Sequence, residues 1–150
     1  DYNCGYCKRG VKTLKDLIRS DRGVRLVFKE FPILGPSSEI AAKSALAAEK
    51  QGKYIEFHNE LMRAGPINDE RIKATATKLG LNLERLNTDI QNPEIEQEIM
   101  RNYQLAEELG INGTPAFIIG GELIPGAIEL DQLKKIIAAE RRKAENIKRQ

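Results

Sequence analysis

The chain has 150 residues, enough for one domain with a core of useful size, and its 41% apolar and 31% charged residues are those of an ordinary folded protein rather than a disordered one. Lys and Arg number 24 against 22 Asp and Glu, so the net charge of +2 argues for neither nucleic acid nor an acidic partner. No apolar run reaches the ~18 residues that a membrane span needs.

The chain opens at Asp1-Tyr2-Asn3, without an initiator methionine or a signal peptide, and reads as an excised or mature piece. The absence of a targeting segment is therefore uninformative. Its only two cysteines follow at once, in Cys4-Gly5-Tyr6-Cys7. Residues 8–19 carry Val11, Leu14, Leu17 and Ile18 at helical spacing, so the pair stands at a helix start. Two thiols at i and i+3 can bridge there, and the positive end of the helix favours a thiolate on the first of them.

A zinc half-site is the first alternative, but tetrahedral zinc needs two further ligands and the chain offers one histidine, His58, and no second cysteine pair. An inert structural disulfide is the second. A bridge closing so short a loop removes little unfolded-chain entropy and adds little stability. Redox chemistry is the stronger reading of the pair.

Asp21-Arg22-Gly23 ends the first helix, and residues 24–31 alternate Val24, Leu26 and Phe28 against Arg25, Val27 and Lys29, which predicts a strand closed by Pro32. Residues 36–110 read as five helices without a strand. They run over 39–51, 53–63, 68–79, 83–90 and 93–109, with Ser37 and Ser38 as the first cap, Pro93 opening the last and Gly52, Gly80 and Gly110 as breaks. Asn112-Gly113-Thr114-Pro115 makes a turn, and residues 116–119 and 122–124 around Gly120-Gly121 predict a β-hairpin with a primed turn. Leu130, Leu133, Ile136 and Ile137 mark a last helix, fully polar after Ala144, whose basic run Arg141, Arg142, Lys143, Lys148 and Arg149 reads as a solvated face. The order implies a mixed sheet interrupted by an insertion.

With a Cys-x-x-Cys at a helix start and Gly113-Thr114-Pro115 opening a hairpin more than a hundred residues later, the chain resembles the thioredoxin-fold disulfide oxidoreductases of the DsbA type. The segments 29–35 (Lys-Glu-Phe-Pro-Ile-Leu-Gly) and 123–126 (Leu-Ile-Pro-Gly) are similar to bacterial periplasmic members, so the resemblance covers the whole chain. It implies an α/β thioredoxin-like fold, with 1–35 and 111–150 as the thioredoxin-like part and 36–110 as the inserted helical domain of a single DsbA-like domain. Such folds place a central strand before the motif, of which only Asp1-Tyr2-Asn3 stands here, so the first strand is expected to be missing. Gly5-Tyr6 departs from the Pro-His of strongly oxidising members and looks like the dipeptide of the isomerase DsbC and of ScsC-like copper-tolerance proteins. That leaves oxidase or isomerase open.

The resemblance implies that Cys4 is the exposed nucleophile and Cys7 the more buried resolving thiol. It also implies a cis Thr114-Pro115 bond facing them and shaping a peptide groove. Thr114 points its hydroxyl at the sulfurs or stabilises its turn, and Tyr6 offers a substrate-facing ring or is a half-exposed helix-start residue. Lys29 and Glu30 read as strand-edge charges, with proton shuttling to Cys7 as the alternative, and His58 as a surface histidine. Asn112-Gly113-Thr114 matches a glycosylation acceptor by chance.

The implied protein is an exported, periplasmic bacterial oxidoreductase with no metal and no cofactor beyond the Cys4-Cys7 disulfide. Its partners are thiol- or disulfide-bearing proteins and a membrane redox partner, not nucleic acid, with oligomerisation through an N-terminal segment. The alternative is a thioredoxin-fold protein that binds Cu(I) or peptides without turnover.

Overall fold

The computed structural model describes residues 1–149. Helix α1 (Gly5–Ser20) begins at the motif, with Cys4 as its N-cap. Leu17 is buried on its inner face, and Asp21 ends it with a backbone N–H to the Leu17 carbonyl. The chain then reverses into α2 (Pro36–Glu49) through Gly35, whose φ of +102° only glycine adopts freely and which sets Pro36 at the first helical position. Helices α3 (Tyr54–Arg63), α4 (Asp69–Lys78), α5 (Leu83–Ile90) and α6 (Pro93–Glu108) follow. Asn68, Asn82 and Asn92 cap the last three, each accepting an amide from the first turn.

Helix α2 forms the centre of this block. Ala41, Ala42, Ala45, Ala47 and Ala48 are fully buried, and side chains that short let neighbouring helices approach closely. Phe57, Leu61, Ile72, Leu86 and Ile99 fill the space around them from the other four helices. None of the described helices is long and apolar enough to cross a membrane.

Strands β1 (Ala116–Ile119) and β2 (Glu122–Pro125) form an antiparallel hairpin in the register Phe117 to Ile124 and Ile118 to Leu123. Its turn residues Gly120 and Gly121 have φ of +60° and +88°, the primed geometry that matches strand twist. Helix α7 (Leu130–Lys148) packs on α1 through Leu133, and Arg141 grips Asp21 with two bonds of 2.6 and 3.0 Å.

The expected strand over residues 24–31 is not formed. This segment runs extended, but backbone becomes a strand only where a neighbour about 4.8 Å away pairs its N–H and C=O groups, and it has no such neighbour among the described residues. It is held from one side instead, by Asn102 Nδ2 donating to the Glu30 carbonyl at 3.0 Å and Tyr103 donating to the Pro32 carbonyl at 2.6 Å. A largely apolar cleft of about 670 Å³ is lined by this segment (Leu26, Phe28), α1 (Val11, Leu14), Phe117 of β1 and Leu133 of α7.

A Cβ at Gly120 would overlap the Glu140 side chain of α7. Gly120→Ala is therefore expected to cost more than the ~1–2 kcal/mol of a left-handed alanine alone. Urea denaturation should show Glu140→Ala recovering the overlap in the double variant but leaving the backbone cost.

Candidate active site

The three residues before the motif are anchored to the helical block. The Asp1 carboxylate accepts hydrogen bonds from the Asn3 amide at 2.8 Å, the Leu34 amide at 2.9 Å and the Ser38 hydroxyl at 2.7 Å. Asn3 donates to the Ser37 and Ser38 hydroxyls at 3.0 and 2.9 Å and accepts from the Ile67 amide at 3.2 Å. Between them Tyr2 is fully buried. The chain enters α1 through a tight turn in which the Cys4 amide donates to the Asp1 carbonyl.

Cys4 Sγ then lies in the cap position, where it accepts the Cys7 amide at 3.1 Å. On its other side the thiol donates to the Thr114 carbonyl at 3.3 Å, across 110 residues of sequence. The Thr114–Pro115 peptide is cis, and the Pro115 carbonyl accepts the Gly126 amide at 2.8 Å, which ties this loop to the far end of the hairpin. The structure thus brings Cys4, Cys7, Thr114 and Pro115 together.

Taken as whole residues Cys4 is 5% exposed and Cys7 half-buried, but around the sulfurs themselves burial is heavier at Cys7 than at Cys4. The loop at Thr114 covers the helix end, which the helix pattern alone does not reveal. Burial opposes ionisation of Cys4, but hydrogen bonds from the Cys7 thiol, from the Thr114 hydroxyl and from the Cys7 amide outweigh it and hold the thiol below its ordinary range. Burial pushes Cys7 up to about 11, reinforced by its hydrogen bond to Cys4.

Tyr6 projects outward, 61% exposed, with the Arg9 guanidinium 4.2 Å from its ring centre. Lys8 turns away and donates to the Ala64 and Gly65 carbonyls at 2.9 and 2.8 Å. The two sulfurs are the residues here that could hold a soft metal ion, and among the described residues no group of three or more His, Cys, Asp or Glu is set to hold one.

Two readings of the sequence need correction. His58 is not a surface histidine but 6% exposed, and Glu30 is not a strand-edge charge but 5% exposed, whereas Lys29 is exposed and pairs with Glu98 at 3.3 Å. Tyr2 and Tyr54 donate to Glu30 Oε1 at 2.7 and 2.6 Å, and the Tyr2 oxygen lies 3.1 Å from His58 Nδ1. Because Tyr2 spends its one proton on Glu30, His58 must donate from Nδ1, which assigns the neutral tautomer. Burial raises the Glu30 carboxyl and lowers His58 to about 4. Glu30 looks like an edge residue because the alternation of residues 24–31 assigns it no burying partner. The tyrosines that enclose it come from residues 2 and 54, separations no local pattern reports.

Residues 1–138 match the DSBA-like thioredoxin domain model, and the chain belongs to that family, one of thiol–disulfide oxidoreductases. Its fold is the DsbA-like thioredoxin fold, here with the long helical block and the two-stranded hairpin. It is similar to a thioredoxin-like oxidoreductase from Silicibacter pomeroyi DSS-3, at 41% identity and a TM-score of 0.92, over 95% of this chain and 83% of that one. It is also similar to the thiol-disulfide exchange protein α-DsbA2 from Wolbachia pipientis (35%, TM-score 0.86, 93% and 77% of the two chains). A periplasmic thioredoxin-like protein from Salmonella enterica serovar Typhimurium matches at 34% and 0.83, over 93% and 79%. The chain spans 22% and 23% of the length of the curated Na⁺/H⁺ antiporters NhaA from Salinispora arenicola and Herminiimonas arsenicoxydans that it matches.

The shift of His58 has a definite sign. A folded pKa near 4 against about 6.5 unfolded means that the unfolded chain binds the proton first as pH falls. His58 therefore withdraws on the order of 3 kcal/mol of stability between pH 7 and pH 4. Glu30, raised, acts in the opposite direction over the acid range. Comparing urea midpoints of wild type and His58→Gln across that window isolates the histidine: the difference should shift toward the variant as pH falls, and a constant difference would contradict the assignment.

Proposed function

We propose that the Cys4-Cys7 pair exchanges disulfides with protein substrates, Cys4 attacking and Cys7 resolving. The observation that carries this reading is the Cys4 sulfur in the cap of α1, 3.1 Å from the Cys7 amide, with its acidity raised while that of Cys7 is suppressed. The Cys4 thiolate attacks one sulfur of a substrate disulfide, that S–S bond breaks, and the departing thiolate takes a proton. Cys7 loses its proton and attacks Cys4 Sγ, the mixed disulfide breaks, and the substrate leaves with two thiols and two more electrons, while the protein holds the Cys4-Cys7 disulfide. Run backward, the same steps oxidise a substrate. Isomerisation needs only the first step and its reversal within one substrate.

Thr114 and Pro115 border the attacking sulfur and offer backbone to an extended substrate segment, and Tyr6 stands as an exposed ring beside it. The likeness to a periplasmic protein supports an exported setting, where protein disulfides persist, and a membrane redox partner would reset the pair.

Cys4→Ser should abolish turnover, whereas Cys7→Ser should accumulate substrate as mixed disulfides resolved on non-reducing gels. Accumulation by the Cys4 variant alone would reverse the roles, and accumulation by neither would favour a binding protein without turnover. A reduced and a scrambled substrate assayed in parallel separate oxidase from isomerase.

The lowered Cys4 thiol also makes a linkage prediction. A thiol whose folded pKa lies below its unfolded one stabilises the reduced fold fully above the unfolded value, near 8.5, and loses that contribution as pH falls through the folded value. The reduced protein should therefore gain on the oxidised one in urea midpoint as pH rises toward 8.5. A pH-independent gap would mean that Cys4 is not activated.

A further inference from the structure

The chain is nearly neutral, yet its charge is not evenly spread. Helix α1 carries Lys8, Arg9, Lys12, Lys15 and Arg19 against the single acid Asp16, and its first turn has no acidic residue. Two of these five cations are engaged by partners. Lys8 is bound to two backbone carbonyls, and Lys12 pairs with Asp16 at 2.6 Å.

Arg9 differs. Its Nη1 lies 3.6 Å from where a Cβ on Gly5 would stand, and its guanidinium carbon lies 4.2 Å from the Tyr6 ring centre. The side chain has folded back over the two residues between the cysteines. It makes no ion pair with a carboxylate among the described residues, and both it and Tyr6 are exposed. A guanidinium lying on an aromatic face keeps its N–H donors at the ring edge, arranged in the fork that matches a carboxylate. A Cβ on Gly5 would meet the guanidinium at ordinary van der Waals distance, so the group lies directly against this residue.

We propose that Arg9, held on Tyr6, is a specificity-determining subsite that takes the carboxylate of an Asp or Glu adjoining the reactive cysteine of the substrate. The inference rests on the disulfide-exchange reading above, since it supposes that a substrate sulfur comes to Cys4. A segment whose cysteine meets Cys4 must pass its neighbouring residues across the surface of Gly5 and Tyr6, where this unneutralised cation stands. An acidic neighbour is drawn to it and a basic neighbour repelled, which acts mainly on the rate of encounter and on docking.

The test uses two peptides of one sequence, each with a single cysteine joined in a disulfide to a coloured aromatic thiol, and with either Glu or Lys on both sides of the cysteine. Attack by Cys4 on the peptide sulfur forms the mixed disulfide and releases the coloured thiolate, which is followed under single-turnover conditions with Cys7→Ser protein. The Glu peptide should react roughly 3- to 10-fold faster, the scale of an exposed attraction set against the matching repulsion. Arg9→Gln in the same background should bring the ratio close to one. Lys12→Gln, which removes the same unit charge one helical step onward, should leave the ratio in place. Equal rates for the two peptides in the parent protein would overturn the subsite while leaving exchange intact. An equal drop in the two variants would overturn it in favour of the diffuse field of α1. Release from neither peptide would overturn the exchange reading itself.

Discussion

The geometry of the redox end depends on the anchoring of Asp1, Tyr2 and Asn3. Their side chains form hydrogen bonds with the 34–38 turn, with the backbone at Ile67 and with the buried Glu30, so the entry to α1 is set by the helical block. Because Cys4 follows immediately and its amide closes a turn onto Asp1, displacing this tripeptide would move the sulfur off the helix cap. Lys8 makes a further tie to residues 64 and 65, one turn into α1. The motif is thus held by the helical block on one side and by the Thr114 loop on the other.

That enclosure leaves Cys4 with little exposed surface, and yet its thiol is the more acidic of the pair. Burial alone would favour the neutral thiol. A hydrogen bond to a charged acceptor contributes about 1.5–3 kcal/mol, however, and Cys4 collects more than one while sitting at the positive end of a 16-residue helix. Cys7 sits inside the first turn, where its own amide is spent on Cys4 and burial of its thiol outweighs the donors that face it. The asymmetry comes from donor placement at Cys4 together with the heavier burial of the Cys7 thiol.

This bears on what could be read beforehand. The helices were legible because their signals are local: Asn68 and Pro93 mark starts, Gly52, Gly80 and Gly110 mark breaks, and the apolar spacing repeats within each element; the start of α2 was misplaced, because Gly35 and not Ser37 or Ser38 is its cap and Pro36 opens it, the two serines lying inside its first turn. The hairpin was legible from two glycines flanked by β-formers. At the site, the Cys-x-x-Cys and Thr-Pro motifs each identify their residues by type and spacing, and their meeting followed from resemblance rather than from local pattern. What could not be read were relations between distant residues: the cover that Thr114 places on Cys4, the burial of His58 between Tyr2 and Phe28, and the enclosure of Glu30. The alternation in residues 24–31 reported an extended backbone correctly, but strand pairing belongs to the neighbour as much as to the segment. Arg9 on Tyr6 lay within reach of helical i, i+3 spacing, which brings such pairs together without saying that both stay exposed.

The buried cluster carries one more consequence. A carboxyl in the interior is tolerated only when it is hydrogen-bonded, and Glu30 accepts at Oε1 from two tyrosines in different parts of the chain. One tyrosine stands two residues before Cys4 and the other opens α3, while Glu30 itself sits on the segment that lacks a strand partner. The histidine extends the chain of bonds to Tyr2, and its ring packs 4.4 Å from Phe28 on that same segment. Removing any one member strands polar atoms belonging to the others, so the cluster behaves as a unit. It joins residues 24–31 to the helical block where backbone pairing does not, and it thereby fixes the floor beneath Tyr2 on which the entry to Cys4 rests.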